Sequence, residues 1–210
     1  MNTRNRNNLL AWIVMVMLAA IAYFGNQQDI DTRNANVQRV YIPSDNPKTL
    51  AMIKAETARQ QEFECLRMNI YHEAGNLSRR GMEAVALVTV HRTEVKHYPA
   101  TICGVVTDAV VKNGVIVRNK CQFSWYCDGK SDNPNLRHPL EKKAWDRATA
   151  VAKDMMDGKV KDFLGRATHY HATYVMPDFA LPQNRKRYNL LAKVGVHVFY
   201  RDIKLGLKAS

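Results

Sequence analysis

The sequence predicts an α+β domain, mostly helical with a small β-sheet, preceded by one N-terminal membrane helix. Three observations lead there. Residues 9–25, LLAWIVMVMLAAIAYFG, carry no charge. From Pro47 to Val95 the apolar residues recur at helical spacing, whereas ATHYHATYV and LLAKVGVHVFYR near the C-terminus alternate β-branched and aromatic residues as strands do.

The apolar run is 17 residues long, at the short end for a membrane span. Arg4 and Arg6 precede it, which predicts a cytoplasmic N-terminus and export of everything after Gly25. The favoured reading is a signal-anchor over residues 1–25. A cleaved signal peptide, with Ala20-Ile21-Ala22 as its small-x-small site, and a buried core helix are the alternatives. Residues 26–47 lack periodicity and are rich in Asn, Asp and Gln, a linker that leaves residues 48–210 as the folded domain. The formal net charge of +12 calls for an anionic partner. An exported chain meets an anionic envelope polymer before it meets nucleic acid, so no nucleic-acid partner is expected. The domain is expected to be a monomer, periplasmic or tethered to the inner membrane through residues 9–25.

Asp45 or Asn46 caps a helix starting at Pro47, and a helical pattern runs through to Gly75. Ser78 caps the next helix, whose apolar run from Ala84 to Val88 reads as fully buried. Pro99 ends that element, and ATICGVVTDAV forms a short helix. Asn113-Gly114 between β-branched runs marks a two-residue hairpin. Pro139 opens a helix that stops at Gly158, and the C-terminal strands follow.

One position breaks the pattern. Phe63, Leu66 and Ile70 lie on one helical stripe, and the next place on it belongs to Glu73. A carboxyl held on a buried stripe has a raised pKa and stays protonated near neutral pH, as a general acid must. A buried glutamate satisfied by an arginine or by backbone donors would share that spacing. No other acid occupies a comparable stripe: Glu62 and Glu64 fall in a polar stretch, and Glu83 faces away from Val85 and Val88.

The surrounding residues add to this. Tyr71, Glu73 and Ala74, then Gly81, Ala84, Val85, Ala86 and Val88, then Arg92 are followed by YPATICGVV, by Gln122-Phe123-Ser124, by ATHYHA and by VGVHVFY. This order of blocks, over residues 62–201, resembles the spore-cortex-lytic-enzyme family of cell wall hydrolases, found in bacilli and in phages. The resemblance implies a lysozyme-like, lytic-transglycosylase-type fold and cleavage of the β-1,4 bond between N-acetylmuramic acid and N-acetylglucosamine in peptidoglycan, with Glu73 as acid. It implies a phage-type endolysin working without a cofactor. Gln122, Phe123 and Ser124 are then candidates to line the sugar cleft, the ring for stacking and the polar groups for hydroxyls, and Tyr170 and His171 join them. The chain departs from the family where Gly75-Asn76-Leu77 replaces the usual Arg-Gly-Glu, where His91 replaces Asn, and where the Asn113-Gly114 hairpin is inserted.

Physics favours one outcome of such cleavage. A hydrolase needs a second carboxylate at a set separation. A lytic transglycosylase needs a single acid/base, because the sugar's own 6-hydroxyl attacks. A different chemistry, a zinc amidase or peptidase, would draw on His169 and His171, which share one strand face, with His197 or the His72-Glu73 step. No His-Glu-x-x-His spacing supports it, and no metal ligands are assigned. Asp128 to Asn135 offers oxygen atoms for calcium but lacks EF-hand spacing. A scaffold or pore-forming lysis protein would need no active site and would survive loss of the Glu73 carboxyl. Four cysteines, Cys65, Cys103, Cys121 and Cys127, admit three pairings, among them Cys65–Cys103 with Cys121–Cys127, or persist as buried thiols.

Overall fold

The structure, a computed structural model, describes residues 46–208. The predicted membrane helix and most of the predicted linker lie outside them. Among the described residues no helix is long and apolar enough to cross a membrane. The chain divides into two compact units, Met1–Ala51 and Met52–Ser210. Of the first, only its start of helix is described: the Asn46 side chain accepts from the Lys48 N–H at 2.9 Å, the cap expected before Pro47.

The helical pattern through Gly75 forms one element, α1 (Pro47–Ala74). Its residues 52–61 are exposed, whereas Leu66, Asn69, Ile70 and Ala74 are fully buried. Helix α2 (Arg79–Thr93) begins at Ser78, whose hydroxyl accepts from the Gly81 N–H at 3.2 Å. Ala84, Val85, Ala86 and Val88 have no exposed surface and Leu87 almost none, so α2 is the buried centre of the domain, as its continuous apolar run predicts. Helix α3 (Ile102–Val106) is capped by Thr101 and by the Glu62 carboxylate, which accepts from the Ile102 and Cys103 N–H groups. Helix α4 (Pro139–Met156) ends at Gly158, which adopts φ +68°.

Strands β1 (Ala109–Lys112) and β2 (Val115–Cys121) form the expected hairpin. Asn113 and Gly114 have φ of 51° and 75°, the left-handed pair that a tight hairpin turn requires. The second sheet joins β3 (His169–Ala172), β4 (Tyr188–Val194) and β5 (His197–Asp202) in the antiparallel order β3-β5-β4. The architecture is α+β.

Two buried clusters hold the layers together. Leu66, Ile70 and Ala74 of α1 meet Met82, Val85 and Ala86 of α2, Val105 and Val106 of α3, and Ala148 and Val151 of α4. Ala84, Leu87 and Val88, on another side of α2, pack against Phe199 of β5 with Leu164 and Ala167. Truncating a side chain as enclosed as Ile70 to Ala would cost about 2–5 kcal/mol. The cysteines are paired as Cys65–Cys103 and Cys121–Cys127. The first ties α1 to α3; the second closes the segment that carries Phe123 and Trp125.

Candidate active site

Helix α1 ends in a close approach. A Cβ at Gly75 would collide with the Tyr71 carbonyl oxygen and sit 3.4 Å from the Ala144 Cβ of α4. The turn before that end carries Glu73, half-buried beside the fully buried Ile70 and Ala74. Across from it, the Tyr170 hydroxyl of β3 donates to Glu73 Oε2 at 2.7 Å. Strand alternation explains the aim: Tyr170 is paired with Phe199, so both point to the helical side of the sheet.

Burial pushes the Glu73 carboxyl above the ordinary carboxylate range. The Tyr170 hydrogen bond and the positive charge of Arg92 pull the other way without cancelling it. The same pair holds the Tyr170 phenol well above its usual value, through burial and the nearby carboxylate, so the tyrosine remains a proton donor in the hydrogen bond.

Arg92 is itself buried. Its Nε donates to the Thr168 carbonyl at 2.9 Å, and its guanidinium lies 5.1 Å from the rings of both Tyr98 and Phe123. One of its terminal nitrogens is enclosed without a partner. A buried cation with a spare N–H is a source of fixed positive charge beside the acid. His197 also stands on the Tyr170 side, 5.0 Å from that ring, and burial lowers its pKa, keeping the imidazole neutral at neutral pH.

Beneath the acid runs a polar chain. The Trp125 indole N–H donates to Asn69 Oδ1 at 3.0 Å, Asn69 Nδ2 donates to Thr89 Oγ1 at 2.9 Å, and that hydroxyl donates to the Val85 carbonyl at 3.0 Å. The Trp125 ring stacks on His72, the residue before Glu73, with centroids 4.4 Å apart. These contacts fix the last turn of α1 against both α2 and the segment between the Cys121 and Cys127 sulfurs, and so limit the rotamers open to the acid.

This combination of a carboxyl with a raised pKa, a phenol donor and a buried cation suits general acid/base work. The family model for Cell Wall Hydrolase matches residues 76–200, well over half of the chain. The chain belongs to the cell wall hydrolase family. Membership supports peptidoglycan degradation as its activity. The match begins three residues after Glu73 and takes in Arg92, Phe123, Trp125, Tyr170 and His197. Among solved structures, the crystal structure of the catalytic domain of the Bacillus cereus SleB protein is similar at 20% identity, covering 68% of this chain and 91% of that one, with a TM-score of 0.44. No curated protein matches this cell wall hydrolase.

The structure sorts the residues singled out from the sequence. Glu73 and Tyr170 come together. Gln122 and Ser124 are exposed, whereas Phe123 is buried in the core and packs under Arg92, so its ring offers no face to a sugar. His171 lies on the other side of the sheet from Tyr170: its Nε2 is 3.2 Å from the Tyr200 hydroxyl, and its ring stacks on that of Tyr200. A one-residue step along a strand reverses the face, and the two therefore cannot share a site. The same rule separates the supposed zinc ligands. His169 and His171 pair with Tyr200 and Val198, whereas His197 pairs with Ala172 on the Tyr170 side. His197 therefore lies on the opposite face from His169 and His171, and among the described residues no three metal-ligating side chains converge. His169 packs against Phe179 and Tyr188, and burial with the charge of Arg92 brings its pKa down to about 4. His91, at the position that departs from the family, is buried with its Nδ1 3.0 Å from the Ala167 carbonyl oxygen, a structural place.

Sequence reasoning missed Arg92, Asn69 and Trp125 as parts of this site. Asn69 carried a readable signal, because it too interrupts the α1 stripe with a polar group. Arg92 stood only as a match to the family's pattern, with nothing to mark it as buried, since an arginine near a helix end ordinarily faces solvent.

Proposed function

We propose that this cell wall hydrolase cuts the β-1,4 bond between N-acetylmuramic acid and N-acetylglucosamine, with Glu73 as the single acid/base, by lytic transglycosylation. The observation that carries the reading is the Glu73–Tyr170 pair: a carboxyl with a raised pKa whose Oε2 is already engaged by a phenol at 2.7 Å. Its proton then sits on Oε1, free to meet the glycosidic oxygen.

The sequence of bonds is balanced with one residue. Glu73 gives its proton to the leaving 4-oxygen of N-acetylglucosamine as the C1–O bond of the muramic acid breaks. The carboxylate so formed, held by the Tyr170 hydroxyl and favoured by Arg92, takes the proton from the 6-hydroxyl of the same muramic acid. That oxygen bonds to C1 and closes a 1,6-anhydro ring, and Glu73 is protonated again. The family's acid after Glu-Ala is replaced here by Leu77, which favours the anhydro route over hydrolysis.

Export through residues 9–25, tethering at the inner membrane or residence in the periplasm, a monomeric state and a phage endolysin's role complete the proposal, and the net charge of +12 fits an anionic envelope polymer. The test is purified full-length protein on isolated murein, wild type against Glu73→Gln, with the products weighed. Anhydro-muropeptides from the wild type alone are expected. Products one water heavier would make it a muramidase, and undiminished cleavage by Glu73→Gln would remove Glu73 from the chemistry.

A further inference from the structure

A cleft of about 600 Å³ opens between the C-terminal turn of α1 and the first turns of α4, lined by Tyr71, His72 and Asn76 on one side and by His138, Lys143 and Arg147 on the other. Such a volume suits a ligand of a few residues' size. It does not contain Glu73, but His72, the residue before the acid, and Asn76, just past the end of α1, both line it. A helix with its side chains is about 10–12 Å across, so a stem of several residues at about 3.3 Å each, carried by the sugar being cut, has the length to reach the cleft.

The lining is charged for an anion. The Arg147 guanidinium is anchored on the Leu77 carbonyl, which fixes its position at the cleft wall. Lys143 makes no ion pair among the described residues, unlike Lys142 and Lys153 of the same helix, which pair with Asp146 and Asp157. The one acid of the lining, Glu141, is engaged through Oε2 by the Tyr71 hydroxyl at 3.2 Å and the Asn135 N–H at 2.7 Å. Leu140, 71% exposed, supplies an apolar patch beside these cations.

We infer that this cleft binds the acidic peptide stem carried by the muramic acid, its carboxylates meeting Lys143 and Arg147 and its small apolar side chains meeting Leu140. The assignment rests on the proposed glycan cleavage at Glu73 and adds a second point of substrate recognition outside the acid's own surroundings. The enzyme then prefers glycan strands that still bear peptides over bare ones.

Two measurements on the full-length protein test this. The first compares kcat/KM on peptide-bearing murein strands with that on strands stripped of peptide by an amidase. The second is calorimetric titration with the free acidic stem peptide. Wild type is expected to favour peptide-bearing strands and to bind the peptide. Lys143→Glu should cut both the preference and the affinity about five-fold, the scale of one exposed charge pair, and Lys143→Arg should keep both. Equal rates on the two strands by wild type, or a preference and affinity that Lys143→Glu leaves unchanged, overturn the assignment even if cleavage at Glu73 holds. Peptide binding that depends on Lys143, in a protein that cuts neither strand, sustains the cleft and sinks the glycan chemistry instead.

Discussion

The Tyr170 hydroxyl and the Glu73 carboxylate, 97 positions apart in the chain, meet at 2.7 Å where the end of α1 faces the helical side of the C-terminal sheet. The phenol stabilises the ionised carboxyl that burial disfavours. Burial raises the Glu73 pKa and the phenol moderates that rise, a balance that suits a residue acting first as acid and then as base.

Glu73→Gln is expected to lower murein cleavage by about 10²-fold or more, the usual contribution of a positioned acid/base. The same variant should be more heat-stable at neutral pH. The folded pKa of Glu73 lies above its unfolded value, so the folded state holds the extra proton through the window between them. The stability it contributes is full below the ordinary carboxylate pKa and is lost as pH rises through the folded pKa. Glutamine does not ionise and escapes that loss. Melting curves from pH 4 to pH 8 decide it: a gap in Tm favouring the variant should widen with pH, and a gap that narrows contradicts the burial argument.

Tyr170→Phe removes the group that pulls the Glu73 pKa down, so that pKa moves further up. The alkaline limb of the kcat/KM profile, where the acid loses its proton, should shift to higher pH. The rate at its maximum should fall about ten-fold, the scale of one hydrogen bond to a charged group. An unmoved limb would mean that another group titrates there.

Arg92→Met acts in the same direction on Glu73 but carries a folding penalty. It leaves the Thr168 carbonyl without its 2.9 Å donor in a buried place, which costs about 1–3 kcal/mol. Urea denaturation should show this loss, and the alkaline limb should again move upward in whatever fraction remains folded. His169, whose pKa Arg92 helps to hold near 4, should titrate closer to its normal range in the variant, readable by NMR.

The two disulfides should differ in worth. Cys65–Cys103 spans 38 positions and Cys121–Cys127 spans 6. Loop-closure entropy gives about 4 kcal/mol for the first and about 2 kcal/mol for the second. Paired Cys→Ser variants, unfolded in urea, should rank in that order. The second pair should still affect activity, because its loop carries Trp125, which braces Asn69 and His72 under the acid.

Much of the fold was legible because the local signals agree with it. Asn46 and Ser78 cap their helices through the expected side-chain contacts, Asn113-Gly114 turns a hairpin, and Gly158 ends α4 with a positive φ. The site was legible in part. Glu73 announced itself by breaking a stripe, but strand periodicity alone did not say which of Tyr170 and His171 faces the helices. Both residues are compatible with either face until register and packing choose. Phe123 looked like a sugar platform because an aromatic among polar residues reads the same in a cleft and in a core.

What the sequence determined by itself was local: the order of the helices and strands, their caps and turns, and the one carboxyl set into an apolar stripe. Those features depend on contacts within a few residues, whose energies the residue types largely set. The tertiary structure alone decided that Tyr170 donates to Glu73, that Arg92 is buried with its charge acting on that carboxyl, that His197 parts from His169 and His171, and that a cleft lined by Lys143 and Arg147 opens between α1 and α4. Each of those joins residues dozens of positions apart, and only the burial of α2 between the other helices and the sheet brings them within reach.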